Sequence, residues 1–115
     1  MCIRDSYNDL KQLRPEIIYC AISGFGQTGP LSPRPAYDQI IQGLSGVMSI
    51  TGKPEDDPLR VGFPLADTIG GLTAAMAICA ALNKRPRGQM VDVSMLDSVL
   101  TTMGWVVSNL SLIHI

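Results

Sequence analysis

Hydrophobic positions predict an alternation of strands and helices in the first half of the chain. A helix ending at Leu13 is followed by Glu16 to Ser23, which is apolar on both faces, as in a strand of a covered parallel sheet. From Asp38 onward the apolar residues recur at helical spacing, with Asp38 predicted as the N-cap and Gly52 lying beyond the end. Strands that alternate with helices predict an α/β protein.

The second half predicts a helix, a short strand and a last helix. Pro64 and Asp67 mark the start of an apolar helix whose segment Leu72 to Leu82 is apolar all round. That segment has only about half the length that a bilayer requires, so we interpret it as buried inside protein. Gln89 to Val93 predicts a strand, and Ser94, with an aspartate three residues later, predicts a capped helix after it.

The two ends of the chain differ from the rest and are related to each other. MCIRDS at residues 1–6 and LSLIHI at residues 110–115 can be encoded by inverted copies of one DNA sequence read in shifted frames. Such a match is typical of a transposon end used to prepare sequencing libraries, so we interpret both segments as non-native. On this interpretation His114 and Cys2 do not belong to the protein, and residues 7–109 are an internal part of a longer domain.

Composition limits the kinds of partner. The 115 residues carry a formal net charge of -1 and are 46% hydrophobic. No basic stripe of the kind that nucleic acids require is present, and we expect neither a nucleic-acid nor a membrane partner. Cys20 and Cys79 have no paired spacing and predict reduced core residues of a cytoplasmic protein without a metal site. The charged segment Lys53 to Arg60 predicts a solvated loop.

Glycines after the first strand have the spacing of a dinucleotide-binding loop. Gly24, Gly26 and Gly29 follow the strand, but three prolines come next, where a pyrophosphate loop must open into a helix. A proline also forces the residue before it toward extended geometry. The glycines therefore do not predict an NAD site.

Asp67 stands out because it has few polar neighbours in sequence. One interpretation is a helix N-cap that accepts the N–H of Ile69 or Gly70, a contact that contributes about 1 kcal/mol. The other is a desolvated, oriented carboxylate that attacks an activated acyl carbon, with Gly70 and Gly71 leaving room for a substrate. The pattern by itself favours the cap.

Three stretches in the same order resemble the class III CoA-transferase family, which also contains acyl-CoA racemases. They are SGFGQTGP with RPAYDQIIQGLSGVMSITG, then PLADTIGGLTAAMAICAAL, then RGQMVDVSMLDSVL, and together they cover essentially all of residues 7–109. The resemblance implies part of a Rossmann-like parallel-sheet domain. Complete members of this family are interlocked homodimers, so it also implies self-association. Much of the family's CoA-binding surface lies outside residues 7–109, so we expect the chain alone to be inactive.

The resemblance also implies a site and a mechanism. Asp67 matches the family's nucleophile, which attacks the acyl-CoA thioester to give a mixed anhydride and then an aspartyl-CoA thioester. A carboxylic acid, for example a small dicarboxylate such as succinate, then takes the CoA. Coenzyme A is thus a substrate, and no permanently bound cofactor is expected. Gly24, Phe25 and Gly26 are implied to line the CoA and acyl thioester.

Tyr37 separates the two activities of the family. The racemases carry a histidine at the matching position, and residues 7–109 contain no histidine. Because a tyrosine hydroxyl is a weak base at neutral pH, transferase is favoured over racemase or epimerase. Tyr37 is equally compatible with substrate contact and with packing. A non-catalytic α/β fragment in which Asp67 only caps a helix stays open as an alternative.

Overall fold

Helices and two strands alternate along the chain, as predicted. The computed structural model describes residues 6–113, with side chains to residue 109. The elements are α1 (Tyr7–Leu13), β1 (Ile18–Ser23), α2 (Asp38–Leu44), a 3₁₀ helix (Val47–Ile50), α3 (Leu65–Asn83), β2 (Gln89–Ser94), α4 (Met95–Thr102) and α5 (Gly104–Ile113). Most of the two terminal segments that we interpret as non-native, including Cys2 and His114, lies outside the described residues.

The two strands form a parallel sheet. Ile18 pairs with Gln89 and Ser23 with Ser94, so both strands end at the same edge. Residues before Ile18 form a turn, closed by the Ile17 N–H donating to Arg14, and β1 is therefore shorter than predicted. The crossover helix α3 packs against both strands, which makes this a β-α-β arrangement.

Two apolar clusters hold the helices on the sheet. The larger one joins α2, the start of α3 and α4, and its buried residues are Ile41, Val47, Ala66, Met95, Val99 and Met103. The smaller one packs the remainder of α3 on β2 through Ala74, Ala81, Val91 and Val93. The larger cluster therefore fixes the first turn of α3 against α2.

The helix predicted from Asp38 is interrupted. It ends at Leu44, and Gly46 adopts a φ of 85°, a left-handed conformation that glycine tolerates, before the 3₁₀ helix begins. Gly52 lies beyond that helix, as predicted. Tyr37 occupies the N-cap position, so the prediction of Asp38 as N-cap is wrong. Asp38 is the first helical residue, and its carboxylate bonds to a different helix.

The last predicted helix is also divided. The Ser94 hydroxyl accepts the Asp97 N–H at 3.2 Å, which confirms the predicted cap. The helix ends at Thr102, and α5 begins at Gly104. Val107, on the second of these helices, is exposed.

Most of α3 is exposed, although its sequence predicted burial. Leu72 is 67% and Met76 70% exposed. The helix has 19 residues, longer than the apolar segment suggested, and its length and composition would suffice to cross a membrane. Core helices of soluble proteins meet the same criterion, so this single helix is weak evidence for a membrane span.

We predict that the 115-residue chain on its own does not unfold cooperatively. Its clusters are small, and large apolar side chains on several helices face solvent, including Leu44, Leu72, Met76 and Trp105. Far-UV and near-UV circular dichroism during a thermal scan should show no shared sharp transition. A single coincident transition in both signals would contradict this.

Candidate active site

Asp67 lies in the first turn of α3 but does not cap it. The helix begins at Leu65, with Pro64 at the N-cap position and no side-chain cap from Pro64. The Thr68 N–H already donates to Pro64 at 3.0 Å, so Asp67 is the third helical residue and the predicted cap role is wrong. A carboxylate in this turn lies near the unpaired N–H groups of the helix start, which favour negative charge.

The cap of α3 comes from α2. The Asp38 carboxylate, 9% exposed, accepts the Ala66 N–H through Oδ1 at 2.7 Å. Its Oδ2 accepts from Nε2 of the fully buried Gln42, also at 2.7 Å. Gln42 Nε2 further donates to the Phe63 carbonyl at 3.2 Å, and its Oε1 accepts the Val61 N–H at 2.8 Å. We call these two residues the Asp38–Gln42 pair.

The Asp38–Gln42 pair was missed in the sequence. Two polar residues four positions apart lie on one face of a helix. In α2 that face also carries the buried Ile41, so a polar pair there was a signal for buried hydrogen bonding. Its partners could not be inferred from the pattern, because Ala66 lies 28 residues farther along the chain.

A cleft of about 530 Å³ opens beside Asp67. Its lining residues come from the start of α2 and from the segment leading into α3: Tyr37, Asp38, Gln39, Ile40, Arg60, Pro64 and Asp67. The structure thus brings together two of the predicted site residues, Tyr37 and Asp67. Tyr37 is 80% exposed, so it is not a packed aromatic within the described residues.

Asp67 is exposed to solvent in this cleft. Within the described residues the carboxylate is therefore not desolvated, and its desolvation in the complete protein stays a prediction. Of the two glycines expected to leave room, Gly70 is buried, and a Cβ there would lie 3.2 Å from Met95 Cγ, so it serves helix packing. A Cβ at Gly71 would meet nothing within 4 Å. Gly71 lies one turn after Asp67 on the same helix face, which leaves that surface open.

Arg60 is a second site residue that the sequence did not reveal. It was predicted to lie in a solvated loop, and it is exposed, but it lines the same cleft as Asp67. A guanidinium there offers two parallel donors for a carboxylate or phosphate group. The cleft therefore combines two carboxylates, of which that of Asp38 is hydrogen-bonded through both oxygens, with one cationic group that suits an acidic ligand.

The glycine loop lies outside this cleft. Gly24 is buried, and a Cβ there would lie 2.6 Å from the Ala36 Cβ. Gly26 is buried beside the Asp92 carboxylate with a φ of 82°. Phe25 packs on the larger apolar cluster and faces a separate hollow of about 190 Å³. The geometry gives each of these residues a packing or turn role, and their contact with CoA stays a prediction.

Neither described cysteine lines the Asp67 cleft. Burial, and then the nearby Asp92 charge, raise the pKa of the Cys20 thiol, which disfavours the reactive thiolate. Cys79, predicted to be buried, is exposed on α3. Among residues 6–113, no three His, Cys, Asp or Glu side chains come together as a metal site would require. Asp67 is thus the free carboxylate of the cleft within the described chain, because both oxygens of Asp38 accept hydrogen bonds.

Comparisons with known proteins agree on one family. The model of CoA-transferase family III matches residues 4–112, a range that reaches into both segments interpreted as non-native. The chain is 47% identical over 94 residues to a succinate–glutarate CoA-transferase of Agrobacterium fabrum, covering 79% of this chain. It is 46% identical over 99 residues to an acetyl-CoA:oxalate CoA-transferase of Acetobacter aceti, covering 83% of this chain.

Solved structures give the same result for the fold. A CaiB/BaiF family protein from Brucella suis superimposes with a TM-score of 0.88 at 38% identity, covering 90% of this chain and 28% of that protein. This match confirms the predicted α/β class with a parallel sheet. The chain spans about a quarter of the length of the curated relatives named above, which are covered to 24% and 25%.

We predict that Gly24→Ala destabilises the complete protein and that a second change restores it. The new methyl group would overlap the Ala36 side chain, and overpacking of this kind costs about 1–3 kcal/mol. Adding Ala36→Gly removes the overlap, so the melting temperature of the double variant should return close to that of the wild type. Ala36→Gly alone is the control.

The double variant also separates packing from ligand contact. If Gly24 lines the ligand site, as the resemblance implies, the stable double variant should bind acyl-CoA more weakly in calorimetry. Unchanged binding would reject the ligand role of Gly24, and a melting temperature that does not recover would reject the packing explanation.

Proposed function

Because the chain belongs to CoA-transferase family III, we propose that the complete enzyme transfers CoA from an acyl-CoA thioester to a carboxylic acid through Asp67. The observation that carries this proposal is the position of Asp67. Its carboxylate lies in the first turn of α3, open to a cleft large enough for an acyl group. Covalent attachment to such a carboxylate divides a difficult exchange into easier steps.

The proposed reaction has two symmetrical halves. A carboxylate oxygen of Asp67 attacks the thioester carbonyl carbon, the C–S bond breaks, and CoA thiolate leaves a mixed anhydride. The thiolate then attacks the Asp67 carbonyl carbon, releasing the first acid as its carboxylate and leaving an aspartyl-CoA thioester. The acceptor carboxylate attacks this thioester to form a second anhydride and thiolate. Attack of the thiolate on the acceptor's acyl carbon releases the new acyl-CoA and regenerates Asp67.

The anhydride steps require that water is kept out of the cleft, because hydrolysis would otherwise compete. Asp67 and Tyr37 are both exposed within the described residues. We propose that parts of the complete enzyme beyond these residues, including a second subunit of an interlocked homodimer, cover the cleft. The exposed apolar side chains of α3 support such a cover.

Transfer fits the cleft better than racemisation. A racemase needs acid–base groups on both sides of the substrate's α-carbon. In the described part of the cleft, Asp67 is the carboxylate that is free to act, and Tyr37 supplies a weakly basic phenol. A single nucleophilic carboxylate is sufficient for the proposed transfer.

We propose small dicarboxylates as acceptors. The two relatives described above are named for succinate, glutarate and oxalate, each of which carries two carboxyl groups. One carboxylate would react at Asp67, and Arg60 in the same cleft would bind the other.

We predict that Asp67→Asn and Asp67→Ala both abolish transfer in the complete enzyme. Neither side chain can form the anhydride, so kcat should fall by at least about 10⁴-fold, as for other lost nucleophiles. Asp57→Asn, at an exposed aspartate of the preceding loop, is the charge-matched control and should keep full activity. Initial rates with succinyl-CoA and a dicarboxylate acceptor measure this. Asp67→Asn retaining a tenth of the activity would reject the nucleophile.

Arg60→Ala should lower kcat/KM for a dicarboxylate acceptor by about 10- to 100-fold, in line with the loss of a hydrogen bond to a charged group. The same variant should change kcat/KM for a monocarboxylate acceptor much less, since that acid lacks the distal group. Arg60→Lys keeps the charge but not the planar guanidinium group. Its kcat/KM for the dicarboxylate acceptor should lie between those of the wild type and Arg60→Ala. Equal losses with both acceptors would show that Arg60 does not recognise the distal carboxylate.

A further inference from the structure

We infer that the Asp38–Gln42 pair is a positioning device for Asp67, acting through the backbone of the turn that carries the nucleophile. This inference rests on the proposed role of Asp67. The pair does not need to touch the substrate. It holds the segment Val61 to Ala66 in one conformation and thereby sets where the next residue presents its carboxylate.

The hydrogen bond nearest to Asp67 supports this role. Asp38 Oδ1 accepts the N–H of Ala66, the residue immediately before Asp67, at 2.7 Å. Ala66 is fully buried against Ile41 and the rest of the larger apolar cluster. The backbone on the inner side of the turn is thus fixed by a charged hydrogen bond and by packing, while Asp67 faces the cleft.

Gln42 extends the attachment along the whole segment that enters α3. Its amide contacts Asp38 Oδ2, the Phe63 carbonyl and the Val61 N–H at 2.7, 3.2 and 2.8 Å. Together with the Ala66 contact, three backbone groups between Val61 and Ala66 are bonded to side chains of α2. A fully buried amide with all these partners is costly to disturb, because any lost partner leaves a buried polar group unsatisfied.

The location of the cap indicates a role in the site. A serine or aspartate at position 64 would cap α3 from within its own segment, without burying a carboxylate elsewhere. Here Pro64 stands at that position, and the cap comes from Asp38 of α2, which lines the cleft directly after Tyr37. Asp38 therefore joins α2 to the start of α3. Displacement of a reacting group by about 1 Å can cost about 10²-fold in rate. A hydrogen bond that fixes the residue next to Asp67 should therefore affect catalysis.

The test exchanges the donor and acceptor groups of the pair in the full-length enzyme. Asp38→Asn replaces one acceptor oxygen by an NH₂ group. That donor then faces another donor, either the Gln42 NH₂ group or the Ala66 N–H. Gln42→Glu brings two buried carboxylates together. The double variant Asp38→Asn/Gln42→Glu restores complementarity. In it the introduced asparagine accepts the Ala66 N–H and donates to the introduced glutamate, which in turn accepts the Val61 N–H. Only the hydrogen bond to the Phe63 carbonyl is lost.

Two readouts are measured for each variant. One is the single-turnover rate of succinate release from succinyl-CoA without added acceptor acid, which reports acylation of Asp67 and its conversion to the aspartyl-CoA thioester. The other is amide hydrogen exchange of the peptide covering residues 61–67. We expect each single variant to slow the maximal single-turnover rate by about 10- to 100-fold, with little change in the succinyl-CoA concentration that gives half of that rate, and to speed exchange. The double variant should recover to within about threefold of the wild type.

Val91→Ala is the control for stability alone. Val91 belongs to the smaller apolar cluster, away from the start of α3, so its truncation should lower the melting temperature without slowing acylation. Single variants that lose stability but acylate at the wild-type rate would overturn the inference, and so would a folded double variant that stays slow. If the single variants do not fold, the acylation rate of the double variant alone tests the inference. A wild-type enzyme without acylation at Asp67 would reject the proposed function instead, and the exchange measurement would still test the attachment.

Discussion

The first turn of α3 depends on one hydrogen bond from outside the helix. The N–H groups at a helix start have no partner within the helix, and the side chain of Pro64 supplies none. The Asp38 carboxylate, 28 residues earlier in sequence, accepts the Ala66 N–H at 2.7 Å. This hydrogen bond fixes α2 relative to the start of α3, and residues of both helices line the cleft. One side of the turn, with Ala66, is buried, and the other side, with Asp67, is exposed.

This separation explains how an exposed carboxylate can still be well oriented. Asp67 reaches solvent, as the proposed attack on a diffusing acyl-CoA requires, while the backbone behind it is packed on Ile41 and hydrogen-bonded to Asp38. On the proposed mechanism, the buried side of the turn orients the carboxylate, and the exposed side leaves it free to react. The proposed mechanism assigns the exclusion of water to parts of the enzyme outside the described residues. The large exposed apolar surface of α3 is consistent with such a cover.

Features set by local interactions could be predicted from the sequence, and those set by distant partners could not. The two strands themselves and the Ser94 cap follow from neighbouring residues, and both are present, whereas the parallel pairing of the strands was expected from their alternation with helices. The start of α3 was misplaced because Asp67 has the appearance of a cap, whereas the actual cap, Asp38, lies on another helix. Arg60 was overlooked because its charged loop resembles any solvated loop. The ordered resemblance of three stretches, rather than periodicity, indicated the family and Asp67.

The proposed mechanism requires that Asp67 becomes covalently modified during turnover. The most direct measurement is to mix the complete enzyme with succinyl-CoA in the absence of an acceptor acid, trap it with hydroxylamine, digest it and map the adduct by mass spectrometry. We expect a hydroxamate on the peptide that carries Asp67, at that side chain and dependent on succinyl-CoA. An enzyme that turns over but yields an unmodified Asp67, or an adduct on another residue, would contradict it.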